Sequence, residues 1–136
     1  MKAPGSGLLK TSSVIYIIFG GLATLLYLLA LLGVGALAGI LSGFSAGVAT
    51  VAGGVLGIFI IFPLLGNLLE FIIGILGFRK ADDPDQAGFF IWTGVIIGVI
   101  QLVGLITSFN WITLISFILP VLYVIGGMMN RRAAVN

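Results

Sequence analysis

The stretch that decides the fold is LEFIIGILGFRKA, residues 69–81, where a long apolar run ends in the basic pair Arg79 and Lys80. Such an end is typical of a membrane helix that stops at the cytoplasmic surface. The whole chain agrees, because 60% of its 136 residues are hydrophobic and 7% are charged. A soluble domain has roughly a quarter of its residues charged, so the sequence predicts that lipid is the solvent of this chain.

Three basic clusters separate the apolar runs. They are Lys2 with Lys10, Arg79 with Lys80, and Arg131 with Arg132. Because lysine and arginine are enriched in cytoplasmic loops, we expect all three clusters on the cytoplasmic side. An even number of crossings must then separate consecutive clusters, which gives four helices with both termini in the cytoplasm and excludes a fifth span.

Four apolar runs have the length of about 20 residues that a membrane helix needs. They cover residues 12–35, 55–78, 88–109 and 111–130. The sequence therefore predicts an all-α fold, namely an integral membrane four-helix bundle made of two helical hairpins in a single domain, 1–136. Residues 79–87 are the expected cytoplasmic turn. The hydroxyls of residues 11–13 are candidate caps of the first helix, and Trp92, Trp111 and Tyr16 are candidates for interfacial aromatic belts.

Glycine recurs every fourth residue around the non-cytoplasmic segment 36–54, at Gly35, Gly39, Gly43 and Gly47. On a helix such a row forms a groove in which a second backbone can approach closely. The spacing therefore predicts that residues 35–54 prolong the first two helices. The groove could be a seam in a homo-oligomer, a contact with a membrane partner, or the lining of a pore. The alternatives are close packing within one bundle, or a flexible outer loop.

Glu70 is the one ionised side chain in residues 11–78 and lies ~13 Å deeper than Arg79, at ~1.5 Å per helical residue. Asn67 lies one turn away on the same side. Gln101 and Tyr123 are expected at similar depths on the third and fourth helices. These polar residues are candidates for an ion path or a partner contact. An acid within a membrane costs free energy, so its presence indicates a function. The alternative is a hydrogen-bonded packing residue, in which a protonated Glu70 donates to a carbonyl or to Tyr123.

The stripe that contains Asn67 and Glu70 continues through Gly74 and Gly77, so we expect it to face other helices rather than lipid. An internal repeat aligns residues 70–81 with residues 122–133, with glycine, the basic pair and alanine in register. Glu70 corresponds to Leu122, so the repeat itself does not require an acid. Any helix with a basic end could give the same alignment.

The order of four short spans and the motif in 69–81 resemble small bacterial four-span membrane proteins that have no assigned activity. The resemblance covers most of the chain and implies no site residues. In topology alone the layout is also similar to tetraspan scaffolds of the MARVEL and claudin kind, although this chain lacks the cysteines of a claudin-type outer loop.

We therefore expect a multi-pass cell-membrane protein that acts as a non-enzymatic interaction or scaffold subunit. It would associate with itself or with a membrane partner through its glycine-rich faces. The alternative is a homo-oligomeric ion channel with a path near Asn67, Glu70 and Gln101. No nucleophile is paired with a base, and there is no cysteine or histidine, so we expect no catalytic residue, metal or cofactor. The net charge of +2 is too small to indicate a nucleic-acid partner.

Overall fold

The computed structural model describes residues 3–43, 45–107 and 111–135, and this part of the chain is almost entirely helical. The elements in chain order are α1 (Ser6–Ser42), α2 (Ala46–Lys80), a short 3₁₀ turn (Pro84–Gln86), α3 (Ala87–Thr107) and α4 (Trp111–Val135). All four α-helices are long and apolar enough to cross a membrane. The predicted all-α class and the four apolar helices are therefore confirmed.

The first two helices are much longer than the other two. α1 has 37 residues and α2 has 35, which at ~1.5 Å per residue gives each a length of roughly 50–55 Å. α3, with 21 residues, is only long enough for the ~30 Å hydrocarbon core, and α4 has 25. Part of the extra length comes from the glycine-rich stretch, whose residues 36–42 belong to α1 and 46–54 to α2, as its spacing predicted.

α1 begins earlier than the sequence indicated, at Ser6 instead of residue 12. The hydroxyls expected to cap its first turn instead donate to backbone carbonyls four residues earlier. Thr11 Oγ1 donates to the carbonyl of Gly7 at 3.0 Å, and Ser12 Oγ donates to that of Leu8 at 2.9 Å. Both side chains therefore lie inside a helix that has already formed. Three other sequence predictions, at Lys2, at the link 108–110 and at the end of the third span, lie outside the described residues.

The linker between α2 and α3 is a short polar turn, as predicted. The carboxylate of Asp83 accepts the backbone N–H of Asp85 at 3.0 Å, which caps the 3₁₀ turn that begins at Pro84. α3 then starts directly at Ala87.

The contacts divide the chain into two compact units. Unit 1 comprises Met1–Ile17 and Ile73–Asn136, and unit 2 comprises Ile18–Ile72. Each unit includes part of α1 and part of α2.

Unit 1 has an aromatic core. The ring of Tyr123 meets Tyr16 edge-on, with centroids 5.2 Å apart, and meets Phe90 at 5.5 Å. All three side chains are buried, together with Leu9 and Ala81. Tyr16 is therefore a core residue, and its predicted place in an interfacial belt is wrong because the Tyr123 ring covers it.

Unit 2 consists of parts of α1 and α2 and has little interior. Among its described residues only Gly20 and Ala49 are buried. A Cβ placed on Gly20 would lie 2.8 Å from the backbone nitrogen of Phe71, and one placed on Gly53 would lie 3.3 Å from Ala38. The two helices thus touch through small residues, while most of the large apolar side chains of unit 2 are exposed.

Candidate functional site

The stripe of α2 that includes Gly74 and Gly77 faces other helices, as the sequence predicted. A Cβ placed on Gly74 would lie 2.8 Å from the backbone nitrogen of Ile17 and 2.9 Å from the carbonyl of Ser13. One placed on Gly77 would lie 2.6 Å from the Ser13 hydroxyl and would collide with the Tyr123 hydroxyl. Both glycines therefore permit a backbone approach that no other residue would allow.

The glycines of the internal repeat have matching surroundings. Gly126 corresponds to Gly74, and a Cβ on Gly126 would lie 2.6 Å from the side chain of Leu9 in α1. α1 is thus packed against equivalent glycines of α2 and α4 within unit 1. The packing of α3 on α4 also uses glycine, since a Cβ on Gly94 would lie 2.7 Å from the carbonyl of Pro120.

The predicted seam glycines behave differently. A Cβ on Gly35 or Gly39 would have no neighbour within 4 Å among the residues that the structure describes. At Gly43, which directly follows α1, the nearest atom is the Ile40 carbonyl three residues earlier, at 3.3 Å, and at Gly47 it is the Ser45 hydroxyl at 4.0 Å. Close packing inside the chain therefore does not account for Gly35 and Gly39, and their helical surface is open.

The hydroxyl of Tyr123 has a partner in α1. It lies 2.7 Å from the Ser13 hydroxyl, and the buried pair shares a hydrogen bond. Sequence spacing placed Tyr123 near Glu70, but it gave no indication of Ser13. The pair satisfies two polar groups inside unit 1, which an apolar surrounding requires.

The four polar residues predicted as one set fall into the two units. Asn67 and Glu70 lie on α2 in unit 2, and both are half-buried. The side-chain amide of Asn67 donates to the carbonyl of Pro63 at 2.7 Å, within the same helix. Gln101, on α3, lies with Tyr123 in unit 1 and is half-buried as well.

Asn130 is the polar residue that the sequence did not single out. It is fully buried, its Oδ1 accepts the backbone N–H of Gly5 at 2.8 Å, and its Nδ2 donates to the carbonyl of Ala81 at 3.1 Å. One side chain thus joins the start of the chain, the end of α2 and the end of α4. The available signal was the repeat, in which Asn130 replaces the apolar Phe78.

These hydrogen bonds and an ion pair bring described residues of all three basic clusters to one end of unit 1. Ala81 follows Arg79 and Lys80 directly, and Asn130 immediately precedes Arg131. The N-terminal cluster is represented by Lys10, whose ammonium lies 2.5 Å from the carboxylate of Asp82.

One groove in unit 1 is lined by apolar residues. It has a volume of about 310 Å³ and lies between α3 and α4, where Gly94, Gly98 and Pro120 leave space beside Val124. Within the described ranges no three acids, cysteines or histidines are close enough to hold a metal ion. The shape and lining of the groove therefore suit an apolar group, but the groove lacks the polar atoms that orient a substrate.

No protein-family model, curated protein or solved structure matches this chain. The resemblance to small bacterial four-span proteins therefore stays a prediction.

Proposed function

We propose that this chain is a multi-pass cell-membrane protein that acts as a non-enzymatic scaffold subunit. α1 with α2 and α3 with α4 form two hairpins, and both termini face the cytoplasm. The subunit associates with further copies, or with a membrane partner, through the open helix face that contains Gly35 and Gly39.

The proposed orientation is supported by the Asn130 hydrogen bonds. They join Gly5, Ala81 and the end of α4, so three segments that carry basic clusters meet at one end of unit 1. A common side for all basic clusters is what cytoplasmic enrichment of lysine and arginine requires. A common side for the clusters also requires an even number of membrane crossings between consecutive clusters.

The observation that carries the scaffold proposal is the open space at Gly35 and Gly39. Lipid provides no hydrophobic drive between helices, so close backbone packing through small residues is a principal source of association. At Gly20, Gly74 and Gly77 this packing takes place within the chain. At Gly35 and Gly39 the same kind of surface has no neighbour in the described part of the chain, and it is available to a second helix.

Oligomer size in mild detergent tests the proposal. The double variant Gly35→Leu/Gly39→Leu should shift the protein to a smaller assembly, because two isobutyl groups prevent close approach on this face. Gly33→Leu is the matched control. Gly33 lies on the same helix and is equally open, but it points about 200° away from Gly35 at 3.6 residues per turn.

An unchanged assembly size in the double variant would contradict the proposal that this face mediates association. An equal decrease in assembly size in the Gly33→Leu control would show that the effect is not specific to this face. Circular dichroism should show the same helix content in all three proteins, since no described residue lies within 4 Å of a Cβ at any of the substituted positions.

The alternative function, an ion channel with a path near Asn67, Glu70 and Gln101, has less support. Asn67 already donates to its own helix at Pro63, which is a usual way to satisfy a polar side chain in lipid. Ion flux into liposomes that contain the full chain, compared with Glu70→Gln, is the direct test. Flux from the parent protein that falls in the variant would favour the channel over the scaffold.

A further inference from the structure

The lysines and the arginines at the basic end of unit 1 are used differently. Lys10 forms an ion pair with Asp82, at 2.5 Å, and Lys80 lies over the ring of Phe89, with its ammonium 4.6 Å from the centroid. Both described lysines are therefore engaged within the protein.

The three arginines are uncommitted. Arg79, Arg131 and Arg132 are exposed, and none of them has a hydrogen bond or ion pair with any residue that the structure describes. The hydrogen bond between Asn130 and Ala81 holds their backbones together. Each arginine lies within two residues of that bond, which is less than one helical turn.

The acids of this end do not neutralise the arginines. Asp82 is paired with Lys10, and the carboxylate of Asp83 accepts the N–H of Asp85 in the 3₁₀ turn. Asp83 and Asp85 are exposed on the α2–α3 linker, and neither forms an ion pair with an arginine in the described part of the chain. Three guanidinium groups are therefore exposed, with no counter-charge in contact within the described part of the chain.

We propose that Arg79, Arg131 and Arg132 form a binding surface for the phosphate of an anionic phospholipid headgroup. The guanidinium group is a planar fork that matches phosphate oxygens with paired hydrogen bonds. Clusters of arginine and lysine at the cytoplasmic ends of membrane helices are attracted to anionic lipid.

The ligand is a lipid because exposed apolar side chains precede the arginines on both helices. Phe78 directly precedes Arg79, and Met128 and Met129 lie within one turn before Arg131; all three are exposed. A bound headgroup would thus have its acyl chains against an apolar surface. A soluble phosphate would make no use of these side chains.

The inference rests on the proposed placement of α2 and α4 across the membrane, so insertion is measured separately. The full chain and each variant are reconstituted in phosphatidylcholine vesicles, and flotation shows whether they insert. Variants that do not float would contradict the membrane placement itself, independently of any lipid preference.

Binding of phosphatidylglycerol in a phosphatidylcholine background is then measured on nanodisc-embedded protein. Arg131→Gln/Arg132→Gln should lower the affinity about fivefold for each arginine removed, from the attraction of one basic residue to an anionic surface. Lys10→Gln/Lys80→Gln is the matched control, because it removes the same charge from the same end but only from engaged side chains. This control should change the affinity by less than twofold, because salt at physiological concentration screens the long-range attraction of charges that do not contact the headgroup.

Equal losses in the two double variants would overturn the assignment to the arginines, and so would an unchanged affinity in the arginine variant. A third arm adds inorganic phosphate at millimolar concentration. Displacement of phosphatidylglycerol by inorganic phosphate would overturn the lipid as ligand, whereas undiminished lipid binding supports it.

Discussion

Unit 1 and unit 2 are both helical and apolar, but many of their glycines have different surroundings. In unit 1, Gly74, Gly77 and Gly126 are positions where a single added carbon would collide with a neighbouring helix. In unit 2, Gly20 and Gly53 are packed as well, but at Gly35, Gly39, Gly54, Gly57 and Gly66 an added carbon would meet no described residue within 4 Å. These three glycines of unit 1 thus serve packing inside the chain, whereas these five of unit 2 lie on open helix surface.

The difference teaches that apolar composition does not decide where a membrane protein packs. The candidate span of α1 has a mean hydropathy of 2.4 and 6% of its residues buried, whereas that of α4 has 1.5 and 28%. The less apolar helix is the better buried one. In lipid, an apolar side chain gains nothing by leaving the solvent, so close approach and polar contacts determine packing. Pairing a change in unit 1 with a matched change in unit 2 tests this comparison.

The largest effect is expected from adding a side chain to a packed glycine. Gly74→Leu should destabilise the protein by about 3 kcal/mol or prevent folding, since its contacts with Ile17 and Ser13 include backbone atoms that cannot move aside. Gly66→Leu on the same helix should instead gain up to ~1 kcal/mol from helix propensity. Unfolding free energies from titration with sodium dodecyl sulfate in mixed micelles provide the measurement, and similar values for the two variants would break the comparison.

A smaller loss is expected from Asn130→Leu. The change leaves the N–H of Gly5 without its buried acceptor and the carbonyl of Ala81 without its donor, which should cost about 2 kcal/mol. Asn67→Leu is the counterpart in unit 2, where only a bond to Pro63 of the same helix is lost. We expect that variant to be within about 0.5 kcal/mol of the parent by the same titration, because changes away from packed features have effects of that size. Faster amide exchange at Gly5 in the Asn130 variant alone would locate the loss.

The smallest effect concerns single hydroxyls. Tyr123→Phe removes the hydrogen bond to Ser13 and should cost about 0.6 kcal/mol, the average found for such bonds between membrane helices. Thr24→Val in unit 2 should cost nothing, because the buried Thr24 hydroxyl has no hydrogen-bond partner among the described residues. A double-mutant cycle with Ser13→Ala isolates the pair energy, and a coupling near zero would mean that the two hydroxyls do not stabilise unit 1.

The helices could be read from the sequence because runs of about 20 apolar residues have few alternatives to a membrane helix. The stripe through Gly74 and Gly77 was also predictable, since helical spacing fixes which residues share a face. The start of α1 was not, because a serine or threonine hydroxyl can either cap a helix or bond back to a carbonyl inside one. Nothing local to residues 11–13 distinguishes these two uses.

The polar contacts of unit 1 were beyond sequence periodicity. Asn130 is separated from Gly5 by 125 positions and from Ala81 by 49. Periodicity describes one helix at a time, and it carries no information about which helix lies opposite. The burial of Tyr16 could not be predicted for the same reason. The ring that packs against Tyr16 belongs to Tyr123, on the last helix.

The Asn130 contacts have a consequence for the order of assembly. During synthesis Gly5 emerges first, and its partner Asn130 follows only after all four helices have been made. The junction of three segments therefore closes last, and every shorter nascent chain lacks it. Contacts of such long sequence separation form slowly, so we expect chaperones or proteases that survey new membrane proteins to act on this chain chiefly before α4 is inserted.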